Sequence, residues 1–219
     1  MPLYDFLAPA YDLAFEKIYL PFRRRALAWL TVPVGGTVLD LACGTGQNFP
    51  FLARAIGPHG RIIGLDLSPG MLRRARKRAQ AAPDGPEFTL LCGNAEQLTP
   101  SFLEKNATTA GVDAVVCSYG FTAMRDPEAA FRAAWSLLRP KGSFLIHDIH
   151  AANRTLHARA LELATHCRFS EAAWRPLQRA TADFRMDYLD PSAHLFGGRL
   201  FVAQGTKPLT LPQAKTCPS

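Results

Sequence analysis

Two glycines one residue apart, Gly44 and Gly46, follow the apolar run Val38-Leu39-Asp40-Leu41 and precede Gln47-Asn48-Phe49. With no Cβ at either position a ligand can approach the backbone closely, and the amides that open the next helix point into the crevice. Asp66 stands twenty residues beyond Gly46, at the carboxyl end of a second apolar run, where a carboxylate accepts hydrogen bonds from both hydroxyls of a ribose. A dinucleotide uses the same arrangement but requires a third glycine, and that place is taken by Phe49. This disfavours a nicotinamide oxidoreductase. Asp40, just before the turn, would repel a pyrophosphate and suits a cationic or amino-bearing ligand. Together these residues describe a nucleoside ligand without phosphate.

Groups that could handle a proton sit where the fourth and fifth apolar runs end, at Ser118-Tyr119-Gly120-Phe121 and His147-Asp148-Ile149-His150. By type and place His150 is the expected general base, with Asp148 as its orienting carboxylate. The plainer alternative is a histidine satisfied by hydrogen bonds at a strand end. Tyr119, Tyr4, Tyr11 and Tyr188 are candidates to line an acceptor site, where an aromatic face stabilises a cation by about 0.5–2 kcal/mol; simple packing is the competing reading. The cysteines, Cys43, Cys92, Cys117, Cys167 and Cys217, are odd in number and widely spread, with no metal-ligand spacing. They read as reduced thiols, and no metal site is expected.

These residues need a scaffold, and from Thr37 onward short apolar runs alternate with helical patterns, the signature of a parallel sheet covered by helices. Strands are expected at 37–41, 61–66, 88–92, 112–117 and 143–147, with helices at about 49–56, 69–81 and 127–138. Two alternating runs, 182–189 and 195–204, are joined by Asp190-Pro191-Ser192-Ala193 with no helix between them, so the last strand returns antiparallel. Upstream, Tyr11, Ala14, Phe15, Ile18 and Phe22 share one helical face, which reads as a lid with Arg23-Arg24-Arg25 as a solvated face. The alternative is a basic amphipathic arm lying on anionic lipid. The expected organisation is a helical arm over 1–36, an α/β domain over 37–205 and a loose tail over 206–219.

Four stretches occur in the order found in one family: Leu39-Asp40-Leu41-Ala42-Cys43-Gly44-Thr45-Gly46, Gly64-Leu65-Asp66-Leu67-Ser68-Pro69-Gly70-Met71-Leu72, Gly93-Asn94-Ala95-Glu96-Gln97-Leu98 and Leu137-Leu138-Arg139-Pro140-Lys141-Gly142. Over roughly residues 4–205 the sequence resembles the class I S-adenosylmethionine-dependent methyltransferases, in particular ubiquinone/menaquinone C-methyltransferases and bacterial phospholipid N-methyltransferases. The resemblance implies a Rossmann-like sheet of seven strands, mostly parallel with an antiparallel last strand, under an N-terminal helical lid. It implies S-adenosylmethionine as cofactor and S-adenosylhomocysteine as product. By position, Asp40, Ala42, Gly44 and Gly46 would hold the amino-acid part, Asp66 the ribose, and Asn94-Ala95 the adenine edge, with Leu67, Ser118 and Tyr11 completing the site. Ala42 departs from a common glycine and Asn94 from a common aspartate.

The whole chain has 219 residues, 48% of them hydrophobic, and a formal net charge of +7. Such a chain builds one sizeable core, which excludes a disulfide scaffold, a fibre and a disordered chain. Basic charge points to anionic partners. The cluster Arg73-Arg74-Arg76-Lys77-Arg78 lacks the interleaved aromatics of a base-stacking surface, so nucleic acid is disfavoured. No secretory signal or membrane span is expected, and the location read from this is cytoplasmic, with peripheral contact at an anionic membrane as an option. The first expectation for the acceptor is a small molecule or lipid headgroup bearing an amine, such as phosphatidylethanolamine. The alternative is C- or O-methylation of a quinone-like or phenolic molecule, and a non-catalytic cofactor-binding protein is the reading from another class.

Overall fold

The computed structural model describes residues 18–82, 84–151, 167–189 and 198–209. Its strands are β1 (Thr37–Leu41), β2 (Arg61–Asp66), β3 (Glu87–Cys92), β4 (Val112–Ser118), β5 (Leu138–His150), β6 (Arg185–Tyr188) and β7 (Arg199–Thr206). They form one seven-stranded sheet in the order β3-β2-β1-β4-β5-β7-β6. The first five strands run parallel, and β7 is antiparallel to both β5 and β6. This is the Rossmann-like arrangement expected. The chain order reverses between β1 and β4, and the crevice at the carboxyl ends of these strands is where such sheets bind ligands.

Helices α1 (residues 18–27 in the described part), α2 (Phe49–Ile56), α3 (Pro69–Gln80), α4 (Pro100–Ala107), α5 (Pro127–Leu137) and α6 (Arg175–Ala180) cover the sheet. Three of them begin on a cap residue followed by proline. Ser68 accepts from the Met71 amide, Thr99 from Phe102 and Asp126 from Ala129, while proline at the first turn gives up a donor that has no helical partner. Leu39, Leu41, Val115, Phe144 and Ile146 bury one face of the sheet against Leu103, Phe131 and Leu177. Val38, Ile62, Val116 and Leu145 bury the other against Ala26, Leu27, Leu52 and Ile56.

The expected elements shift in three places. Strand β5 starts at Leu138, and its register on β4 jumps from Val112↔Leu138 to Ala114↔Ser143 around an irregular stretch. The hairpin strands are shorter than their alternating runs, and the connecting residues 190–193 lie outside the described part. On α1 the buried face carries Tyr19, Arg23, Ala26 and Leu27, whereas Ile18 is exposed. Arg23 is therefore not part of a solvated face: it is 7% exposed, because two polar side chains of the neighbouring turn are there to receive it. Tyr4, Tyr11, Ala14 and Phe15 lie outside the described residues, as does Cys217. Downstream, Lys207 is tied to the body through its backbone hydrogen bonds with Lys141 and Gly142, and residues 210–219 lie outside the described part.

Candidate functional site

The β1 turn is built from residues with left-handed backbone: Ala42, Gly44 and Gly46 have φ of 55°, 56° and 79°. A Cβ on Gly46 would sit 2.6 Å from the Phe49 ring, whereas a Cβ on Gly44 would meet nothing within 4 Å. Gly46 thus serves packing and Gly44 leaves open space on the ligand side. Phe49 also lies 3.0 Å from where a Cβ of Gly64 would stand. Its ring therefore fills the position that a third glycine would leave vacant for close helix–sheet contact.

A cavity of about 860 Å³ opens on this turn. Of the residues expected from the sequence, Ala42, Gly44, Asp66, Leu67, Asn94, Ala95, Ser118 and Tyr119 line it. Asp66 Oδ2 accepts from the Gly44 amide and Oδ1 from the Ser68 amide, each at 2.8 Å, so this carboxylate stitches the two loops together while facing the cavity. Asn94 Oδ1 accepts from the Glu96 amide at 3.0 Å. The Ser118 hydroxyl is buried without a partner among the described residues.

Asp40 and Gly46 do not line the cavity. Asp40 lies wholly buried behind the turn, where Asn48 Nδ2 donates to its Oδ1 at 2.7 Å and Oδ2 has no partner among the described residues. Burial pushes its carboxyl up to about 7, against the pull of the Asn48 hydrogen bond and the Arg23 charge. Arg23 completes the chain: its guanidinium donates to Asn48 Oδ1, to Gln47 Oε1 at 2.9 Å, and lies 5.2 Å from the centroid of the Tyr119 ring.

The proton-handling groups are placed differently from the expectation. His150 does not line the cavity. It lies half-buried at the end of β5, where Nδ1 is 2.9 Å from the Tyr188 hydroxyl and the ring packs edge-on to Trp174. Asp148 does not orient it, because that carboxylate accepts from the Thr122 hydroxyl at 2.8 Å, the Thr122 amide at 3.1 Å and the Ile149 amide at 2.8 Å. The alternation of side chains along a strand sends His147 to the face of β5 opposite His150, where it is fully buried against the Tyr119 wall of the cavity and does not itself line it. There its Nε2 lies 3.1 Å from the Tyr119 hydroxyl, and complete burial holds its pKa well below the usual histidine range, so the imidazole is neutral.

Sequence reasoning missed Arg23, Tyr19 and Asn48 as site residues. The available signal was spacing: Tyr19 and Arg23 are one helical turn apart and in register with Ala26 and Leu27. No group of His, Cys, Asp or Glu among the described residues could hold a metal ion. Cys43, Cys92 and Cys117 are free thiols among the described residues, and no described helix is long and apolar enough to cross a membrane.

A family model described as a methyltransferase domain matches residues 38–142. The 2-phytyl-1,4-naphtoquinone methyltransferase of Thermosynechococcus vestitus is 32% identical over 150 residues, covering 67% of this chain and 62% of that protein. The chain thus spans less than two thirds of that relative's length. A Haloferax volcanii methyltransferase solved with the Trm112 methyltransferase activator superposes with a TM-score of 0.71 at 21% identity, covering 94% of this chain and 97% of that one. The Haemonchus contortus phosphoethanolamine N-methyltransferase 2, solved with phosphomonomethylethanolamine and S-adenosylhomocysteine, gives 0.71 at 15% identity over 93% of this chain and 57% of that one. These two structures speak for the fold.

Proposed function

Since the chain belongs, through its domain over residues 38–142, to the class I S-adenosylmethionine-dependent methyltransferases, we propose that it transfers the methyl group of S-adenosylmethionine to a carbon or oxygen of a quinol-like or phenolic small molecule. The observation that carries this reading is the continuity of the cavity. One cavity is lined by the glycine turn, Asp66 and Asn94 and also by the apolar side chains of Met124, Ile149 and Phe169 with Tyr19. A donor and an apolar acceptor can lie in line there, with water kept from the reacting atoms.

The residues present fit the cofactor. Gly44 leaves the space a Cβ would fill, and the buried Oδ2 of Asp40, without a partner among the described residues, supplies negative charge behind the turn once a cationic ligand draws off its proton. Ala42 and Gly44 would hold the amino-acid part through the backbone, Asp66 the ribose, and Asn94, Ala95 and Leu67 the adenine, with Ser118 at the end of β4. The cofactor supplies an electrophilic methyl carbon, and this chain supplies alignment and dryness.

For the acceptor, the naphthoquinone named in the relative from Thermosynechococcus vestitus supports the carbon- or oxygen-methylation alternative over the amine headgroup expected first. Transfer of labelled methyl to 1,4-naphthohydroquinone and to phosphatidylethanolamine vesicles, compared side by side under anaerobic conditions, tests this. Label in the naphthohydroquinone alone is expected. Label in the vesicles alone would return the reading to amine methylation.

A further inference from the structure

We infer that Tyr119, backed by His147 and overlain by Arg23, forms a subsite for the ionised oxygen of the acceptor, which restricts the substrate class to weak oxygen acids: phenols, hydroquinones and enols. This inference rests on the methyltransferase reading above and specifies which part of the cavity chooses the acceptor.

Tyr119 is held in an expensive conformation. Its φ is 59°, a left-handed backbone that costs a bulky L-residue on the order of 1–2 kcal/mol, and such strain persists where the surroundings impose it. The surroundings are specific. The Tyr119 amide donates to the His147 carbonyl at 2.7 Å, its hydroxyl meets His147 Nε2 at 3.1 Å, and its ring packs on Tyr19 with centroids 4.8 Å apart. A phenolic hydroxyl both donates and accepts, so Tyr119 Oη can serve a ligand while His147 fixes it.

The charges around Tyr119 decide what that ligand is. Among the described residues, α1 brings Arg23, with Tyr19 uncharged beside it; β5 brings His147, neutral in its dry site; and Asp40 behind the turn is joined to Arg23 through Asn48. The other carboxylates of the cavity are engaged by backbone and hydroxyl donors: Asp148 by Thr122 and Ile149, Glu96 by the amides of Arg125 and Asp126, and Asp66 by those of Gly44 and Ser68. An ammonium placed at Tyr119 would meet a guanidinium. An oxyanion would meet a hydroxyl donor and a fixed cation in a low-dielectric wall, where a charge-assisted hydrogen bond is strong. His147 is a positioning residue in this arrangement, because its Nε2 is engaged with the Tyr119 hydroxyl and the ring does not line the cavity.

The chemistry then balances without a protein base. The acceptor hydroxyl gives its proton to solvent as it binds. The oxyanion, or the ring carbon beside it, forms a bond to the methyl carbon while the carbon–sulfur bond breaks and sulfur keeps the electron pair. Where carbon is the nucleophile, the ring proton at that carbon leaves to water.

A chromogenic phenol reads the subsite directly. With the full chain saturated in S-adenosylhomocysteine, 4-nitrophenol is titrated and its phenolate absorption followed from pH 5 to 9. The wild-type protein is expected to bind the phenolate form and shift its ionisation to lower pH. Tyr119→Phe should weaken that binding about tenfold to a hundredfold, the range for a hydrogen bond to a charged group, with S-adenosylhomocysteine affinity unchanged within a factor of two. His147→Gln, which still reaches the hydroxyl, should keep most of the shift, and His147→Leu should lose it. A phenolate shift untouched by Tyr119→Phe, in protein that still binds S-adenosylhomocysteine, overturns the subsite alone. Wild-type protein that binds no S-adenosylhomocysteine by calorimetry overturns the methyltransferase reading itself.

Discussion

Asp40 and the two glycines of the turn act at different distances from a ligand, and single substitutions should separate them. Asp40 is buried and pushed up to about 7, so near neutral pH it is only partly ionised. A cationic group of the cofactor near the turn favours the carboxylate, and binding then releases a proton. S-adenosylmethionine affinity should therefore rise with pH by up to about tenfold per unit below pH 7 and level off above it. Calorimetry across pH 6 to 8 reads this slope, and Asp40→Asn should flatten it and weaken binding at pH 8. At the turn both glycines carry positive φ, so an alanine at either is strained by roughly 1–2 kcal/mol. Only at Gly46 would the new methyl also strike Phe49. Gly46→Ala should lower the urea midpoint distinctly more than Gly44→Ala, while Gly44→Ala, folded, should lose at least tenfold in S-adenosylhomocysteine affinity because its methyl enters the cavity.

At the scale of elements, the junction between α5 and β5 depends on a residue from beyond β7. The Lys207 ammonium donates to the carbonyls of Trp135 at 2.7 Å and Leu138 at 2.6 Å, the first of which also accepts from the Leu138 amide where α5 ends. Lys207→Met should remove one donor from each carbonyl and lower stability by about 1 kcal/mol, seen as a lower urea midpoint with the slope unchanged. Thr99→Ala, which removes the α4 cap, should cost about 1 kcal/mol. The parallel strands were legible because each is a short apolar run bounded by turns. The α4 helix is not among the elements expected, although Thr99-Pro100 opens it with the same cap and proline that open α3 and α5. The strand-end positions of the site were legible for the same reason: Gly44, Asp66, Asn94 and Ser118 follow apolar runs and line the cavity. What could not be read was which side of β5 each histidine faces, since a bulge in the β4–β5 pairing shifts the register. Nor could Arg23 be placed, because a guanidinium on an amphipathic helix counts as solvent-facing until Asn48 and Gln47 are seen beside it.

For the whole molecule, the buried titratable groups oppose one another in their effect on stability. Asp40, at about 7, and Asp148, at about 6, hold protons in the folded state that the unfolded chain releases above about pH 4. Stability from these two therefore falls as pH rises, until Asp148 is ionised near 6 and Asp40 near 7. His147 and His150 are held below the usual histidine range. Below about pH 6.5 the unfolded chain binds protons that these folded imidazoles refuse, so their contribution rises with pH over the same interval. The two pairs therefore act with opposite sign below about pH 6.5, and each offsets part of the other's slope in the ligand-free protein. Substitution unmasks the balance. Asp40→Asn should gain stability over wild type progressively from about pH 4 to 7 and keep that gain above, where wild type alone must bury an ionised carboxylate. His147→Gln should move the other way, gaining at pH 5 relative to wild type more than at pH 8. Urea midpoints at pH 5, 6.5 and 8 for the three proteins measure both slopes, and parallel curves for all three would show that neither group is buried in the protonation state assigned to it. Because Asp40→Asn is expected to stabilise the empty protein and weaken cofactor binding in the same experiment, the site carries a buried carboxylate at a standing cost to the fold, one that only a cationic ligand offsets.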